Sequence, residues 1–117
     1  MTTKEYIKLA VRTESTNECS VVTRLDHAAY GLSTESAELL DIMKKYFFYG
    51  KAIDLVNYKE ELGDTLWYIA IACDALGCTP EDLMITNIEK LKVRYPDMFT
   101  SEKALKRDLK KERKALT

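Results

Sequence analysis

Four carboxylates in this chain fall into two matched pairs. Glu35 and Glu38 lie in GLSTESAELLDIMKK, and Glu61 and Asp64 lie in YKEELGDTLWYIA. Each pair has an i, i+3 spacing inside a helical segment, so both acids of a pair project from one face. Two such helices packed side by side would bring four oxygen ligands to one spot. Hard divalent cations such as Mg²⁺ take that ligand set. Four like charges facing one another without a cation would be costly, so the pattern implies a metal.

The elements that must position these acids are helices. Four Gly and two Pro punctuate the chain, and alternating β-branched runs are scarce, which predicts an all-α protein. A first helix is expected over about Lys4 to Arg12, followed by a polar loop over Thr13 to Ser20. A second helical region runs from Val21 to about Tyr49, with a possible break at Gly31 and Gly50 as its C-cap. Asn57 and Glu60 resemble a capping box opening a third helix that ends at Gly77. Thr79-Pro80 starts a fourth, Pro96 stops it, and Thr100 or Ser101 caps a last polar helix including KALKRDLKKERKAL.

The apolar stripes place the acids in a cleft. In the third helix Leu62, Leu66, Ile69, Cys73 and Leu76 form the expected core stripe, with Glu61, Asp64 and Tyr68 beside it and Trp67 and Ile71 beyond. In the second, Glu35, Glu38 and Lys45 run beside Leu39, Leu40, Met43 and Phe47. In the fourth, Met84, Ile88, Leu91 and Tyr95 make the stripe. Asn87, Lys90 and Arg94 form a polar row next to it, suited to phosphate oxygens.

Bulk properties exclude several classes. The 117 residues suit one domain. Eighteen basic and nineteen acidic side chains leave a net charge of -1, against nucleic-acid binding driven by overall charge. No apolar run is long enough to span a bilayer, and MTTKEYIKLAV has no signal-peptide core. Cys19, Cys73 and Cys78 show no CxxC spacing, so a reduced, cytoplasmic protein is expected. His27 is the only histidine and is read as structural. No Glu-x-x-His pair is present, which disfavours a di-iron bundle. A chain this short buries a modest core, so self-association would help it.

The ordered set GLSTESAEL, EELGDTLWYIA and NIEKLKVRYP resembles the MazG-type nucleoside triphosphate pyrophosphohydrolases of the all-α NTP pyrophosphatase group, in their small stand-alone form. The family's ExxE matches Glu35 and Glu38, and its ExxD matches Glu61 and Asp64. Its Asn-x-x-Lys matches Asn87 and Lys90, followed by Arg94 and Tyr95. The likeness runs from about Glu5 to Phe99. One departure is Ser36, where small members often carry Ala or Gly.

The resemblance implies a four-helix-bundle-like fold with an extra C-terminal polar helix, hence a domain over 1–99 and a basic tail over 100–117. It implies Mg²⁺-dependent hydrolysis of a (deoxy)nucleoside triphosphate to the monophosphate and pyrophosphate, with Mn²⁺ as a substitute ion. Glu35, Glu38, Glu61 and Asp64 would hold the metal. Glu38 or Glu35 would also orient or deprotonate the attacking water. Lys90, Arg94 and Lys45 would grip phosphates, Asn87 would bond sugar or phosphate, and Trp67 and Tyr68 would stack on or wall the base. A homodimer or dimer of dimers is expected, with no membrane and no specific nucleic-acid partner. The alternatives are a non-enzymatic helical interaction module, or a narrow pyrophosphatase for dUTP, dCTP or phosphoribosyl-ATP.

Overall fold

The computed structural model describes residues 1–15 and 20–117. Six helices follow in order: α1 (Thr3–Val11), α2 (Val21–Tyr49), α3 (Leu55–Leu76), α4 (Pro80–Arg94), α5 (Ser101–Leu105) and α6 (Leu109–Ala115). The described residues contain no strand, as expected for an all-α chain. No helix among them is long and apolar enough to cross a membrane. The chain divides into two compact units, Met1–Thr79 and Pro80–Thr117, a division that falls inside the expected 1–99 domain.

In the first unit α3 packs on both α2 and α1. Helix α1 opens on a reciprocal capping box, in which Thr2 Oγ1 accepts from Glu5 N (3.1 Å) and Glu5 Oε2 accepts from Thr2 N (2.7 Å). Ser20 caps α2. Gly50 and Gly77 end α2 and α3 with φ of 62° and 68°, a left-handed cap that glycine adopts without a Cβ penalty.

Two expectations for these helices need correction. Helix α2 does not break at Gly31. Gly31 is buried, and a Cβ there would overlap the Tyr68 ring of α3, so the glycine serves close helix approach. Helix α3 starts one turn earlier than Asn57. Asp54 is its N-cap, accepting from Asn57 N at 3.0 Å. Asn57 thus sits inside the helix with its amide directed elsewhere.

The core stripe also differs from expectation. The buried positions are Ala10 on α1, Ala28, Gly31 and Ile42 on α2, and Glu61, Ala70, Ile71 and Cys73 on α3. Leu62, Leu66 and Leu76 are 45%, 56% and 59% exposed, and Leu40 and Phe47 on α2 are exposed too. Small residues let α2 and α3 approach along the acid-bearing face of α3, which turns the leucines outward.

Arg24 ties the unit together. Its Nε and Nη2 donate to the two carboxylate oxygens of Glu14, both at 2.8 Å, and Nη2 also donates to Asp74 Oδ2 at 2.7 Å. This joins the segment after α1 to α2 and α3. Cys73 is a buried free thiol and Cys78 a half-buried one, and Cys19 lies outside the described residues.

In the second unit α4 packs on α6. Met84 and Ile88 are more than half exposed, while Leu91 and Tyr95 are half-buried, so the expected α4 stripe is covered only toward its C-terminal end. Thr100 caps α5, as expected, by accepting from Lys103 N. The expected single tail helix is two short ones. Asp108 starts α6 afresh by accepting from Lys111 N at 3.0 Å, and the break lets Arg107 fold onto Glu112.

Candidate active site

Helices α2 and α3 bring Glu35, Glu61 and Asp64 together. One carboxylate oxygen from each lies within 4.8 Å of the other two. Glu35 is half-buried and Asp64 exposed, but Glu61 is only 9% exposed. Glu38, one turn further along α2, is exposed and is not part of this trio; its charge is still felt at Glu61. Burial pushes the Glu61 carboxyl up to about 7. A hydrogen bond to Glu35 and the negative charges of Glu35, Glu38 and Glu60 push the same way. Nothing positive offsets these charges among the described residues, which is what a bound cation would do.

Asn57 supports this arrangement from one turn before Glu61. With its amide turned so that the nitrogen faces the carboxylates, it donates to Glu61 Oε1 (3.0 Å) and Glu60 Oε2 (3.1 Å). This holds the Glu61 carboxyl from one turn back along α3. The donor set is all carboxylate oxygen, and its most buried member has no positive partner among the described residues. Both features fit a hard divalent cation.

A cleft of ≈ 360 Å³ opens beside the acids, lined by Thr13, Glu35, Asp64, Trp67 and Tyr68. Trp67 Nε1 donates to Thr13 Oγ1 at 2.8 Å. Its ring meets Tyr68 edge-on at 4.9 Å and 86°, and exposed His27 sits edge-on to both at 6.1 and 5.7 Å. Tyr6 of α1 belongs to the same neighbourhood: burial and then the Asp64 charge raise its phenol pKa.

A second hollow of ≈ 360 Å³ is lined by Ile42, Lys45, Lys51, Ala52, Asp54 and Asn57. Asn57 therefore stands between the acid cluster and two ammonium groups. Lys45 is exposed and pairs with Asp41 one turn back at 2.8 Å, which raises its pKa.

The α4 row lies in the other unit. Asn87 is exposed and Lys90 half-buried. Arg94 is engaged within its own unit. Its Nε and Nη2 donate to Glu112 Oε1 and Oε2 at 2.9 and 3.0 Å, and Arg107 donates to the same carboxylate at 3.3 and 2.6 Å. Glu112 is 3% exposed, and the two guanidiniums hold its carboxyl down at about 2.

The sequence reading missed Asn57 as a support for Glu61, Thr13 and Tyr6 as cleft neighbours, and Lys51 opposite Lys45. Only Asn57 carried a local signal, its i, i+4 offset to Glu61. The other three reach their places through tertiary packing.

The family model of the MazG nucleotide pyrophosphohydrolase domain matches residues 25–99. The match takes in both acid pairs and the α4 row, and it ends before α5. Neither the curated proteins nor the solved structures gave a significant match. The matched span covers well over half of the chain and contains the carboxylate trio, and the chain belongs to the MazG nucleotide pyrophosphohydrolase family.

Proposed function

We propose that the protein hydrolyses a nucleoside triphosphate, in a Mg²⁺-dependent reaction, to the monophosphate and pyrophosphate. The observation that carries this reading is the convergence of Glu35, Glu61 and Asp64, with Glu61 buried among like charges, at the mouth of an aromatic-walled cleft. Glu35, Glu61 and Asp64 would hold the ion, with Glu38 at its edge, and Mn²⁺ would fit the same oxygen set. A bound cation supplies charge neutralisation for the phosphate oxygens.

The chain's own groups supply the rest. Glu38 or Glu35 accepts a hydrogen bond from the attacking water and takes its proton as the new P–O bond forms. The bond broken is that between the attacked phosphorus and the α–β bridging oxygen, which departs as part of the other product, pyrophosphate or the monophosphate. Lys45 and Lys51 offer ammonium donors to the polyphosphate, and Trp67 and Tyr68 wall the base. Asn87 and Lys90 are proposed phosphate or sugar ligands on α4, within the second unit. Arg94 would bind a phosphate through Nε and Nη2 only by exchanging Glu112 for it, because both of those groups are already committed.

The exposed Leu40, Phe47, Leu62 and Leu66 support a homodimer or dimer of dimers that covers these faces. Sedimentation would show a monomer at micromolar concentration if that part is wrong. A cytoplasmic location goes with the substrate. A helical interaction module would have no use for a cluster of like-charged carboxylates with one of them buried. The test is a screen of common and damaged nucleotides, scoring pyrophosphate with and without Mg²⁺. Metal-dependent release from at least one nucleotide supports the reading, and release from none overturns it.

A further inference from the structure

We propose that Thr13 is a positioning residue for Trp67, so that the segment after α1 sets how the cleft holds a nucleobase. This rests on the reading of the cleft as the nucleotide site. The segment lies outside the family-matched residues 25–99, yet it supplies one wall of the space beside Glu35 and Asp64.

The hydroxyl of Thr13 has one proton and two lone pairs. The proton goes to Ala10 O at 2.8 Å, at the C-terminal end of α1. A lone pair is thereby left facing the indole, and Trp67 Nε1 donates to it at 2.8 Å. The indole N–H is a donor only, so Thr13 is the group that fixes which way it points. Tyr68 closes the opposite constraint by meeting the Trp67 ring edge-on. The backbone around Thr13 is itself held. Thr13 N and Glu14 N donate to Ala10 O and Val11 O, and Glu14 is gripped by Arg24, which also reaches Asp74 on α3. The anchor is therefore referenced to the helix that carries Trp67.

An indole held in one orientation beside a carboxylate cluster suited to a phosphate-balancing cation fits a planar heterocycle joined to a polyphosphate. It offers nothing to a polyphosphate without a base. The arrangement thus discriminates nucleotides from inorganic polyphosphates through affinity, with the reacting atoms untouched.

The test uses Thr13→Val, which keeps the shape and loses the hydroxyl, Thr13→Ser, which keeps the hydroxyl, and Trp67→Phe, which loses the donor. With the best-hydrolysed common nucleoside triphosphate, Thr13→Val should raise KM about tenfold, the scale for one unmet hydrogen bond, with kcat within about twofold. The inhibition constant of inorganic triphosphate should not move. Trp67 is the only tryptophan, so intrinsic fluorescence reads its environment directly. Thr13→Val should shift the emission, and Thr13→Ser should restore emission and KM. Trp67→Phe should raise KM alike, and adding Thr13→Val to it should cost nothing more. An unchanged KM in Thr13→Val, or equal weakening of nucleotide and triphosphate, overturns the proposal. If Thr13→Val fails to fold, an unchanged KM in Trp67→Phe does the same. Absence of wild-type pyrophosphate release would instead sink the nucleotide reading itself.

Discussion

Glu61 and Glu112 are the two buried carboxylates among the described residues, and they are compensated in opposite ways. Glu112 sits between Arg94 and Arg107, four N–H donors satisfy its two oxygens, and its carboxyl is held down at about 2. Glu61 sits among Glu35, Glu38 and Glu60, with Asn57 as its side-chain amide donor, and its carboxyl is pushed up to about 7. Burial raises a carboxyl pKa in both places, so the difference comes from the neighbours. Glu112 is a finished structural contact that fastens α6 to α4. Glu61 is an unfinished one, which a cation would complete in the proposed enzyme. A buried acid that the fold leaves uncompensated marks chemistry more sharply than acid content does.

The largest expected effect tests this contrast at Glu61. Glu61→Gln keeps the size and removes the charge a cation needs. Pyrophosphate release should fall at least ~100-fold, the scale of losing a metal-bound function. The metal-free protein should melt no lower than wild type at pH 7 to 8, because one of several crowded charges is gone.

Glu112→Gln should behave in reverse. It leaves two guanidiniums facing each other without an anion, so α6 should loosen from α4. Amide hydrogen exchange in α6 should quicken by about tenfold or more, as for a segment that has lost its main tertiary tie. Turnover of a saturating nucleotide should persist.

The pH dependence should separate the two acids next. The Glu112 carboxyl is depressed in the folded state from the ordinary 4.5 to about 2. Between these values the unfolded chain binds the extra proton. The Glu112 contribution is therefore complete above about 4.5 and is lost as pH falls toward 2. For Glu61 the folded pKa is raised from 4.5 to about 7, so the folded metal-free chain binds the extra proton. Its contribution is complete below about 4.5 and is lost as pH rises through 7. Melting curves of metal-free wild type and Glu61→Gln should therefore converge below pH 4.5 and separate toward pH 7. Added Mg²⁺ should raise the wild-type melting temperature at pH 7 to 8 and leave that of Glu61→Gln unchanged.

The smallest effect is expected at Lys45. Its pairing with Asp41 is exposed, so Lys45→Ala should leave the melting temperature unmoved. If Lys45 also meets phosphate, KM should rise a few-fold with kcat kept. An unchanged KM would confine Lys45 to the Asp41 pair.

Local chemistry made much of this legible in the sequence. The i, i+3 acid spacing, the Gly50 and Gly77 caps, the Pro80 start and the Thr100 cap depend only on residues within a turn of one another. The misses depend on what packs against them. Leu62, Leu66 and Leu76 form a better apolar stripe than the acid-bearing face, and no single-helix pattern says that Gly31, Ala28 and Ala70 let α2 approach the acids instead. Gly31 reads as a breaker until the Tyr68 ring is placed over it. Asn57 reads as a cap because Glu60 stands three residues on, yet Asp54, three residues earlier, is the residue whose side chain caps the helix. Thr13 lies 54 residues from its partner Trp67 and carries no mark of the contact. The tail reads as one helix because Asp108 looks like one charge in a charged run rather than a new cap.

Whether the trio holds a catalytic cation is decided by pyrophosphate release measured side by side for wild type, Glu61→Gln and Glu112→Gln. With Mg²⁺ present, wild type and Glu112→Gln should release one pyrophosphate per nucleoside monophosphate formed, EDTA should stop both, and Glu61→Gln should stay near background. Near-normal, metal-dependent turnover by Glu61→Gln, or wild-type turnover that survives EDTA, would contradict the account.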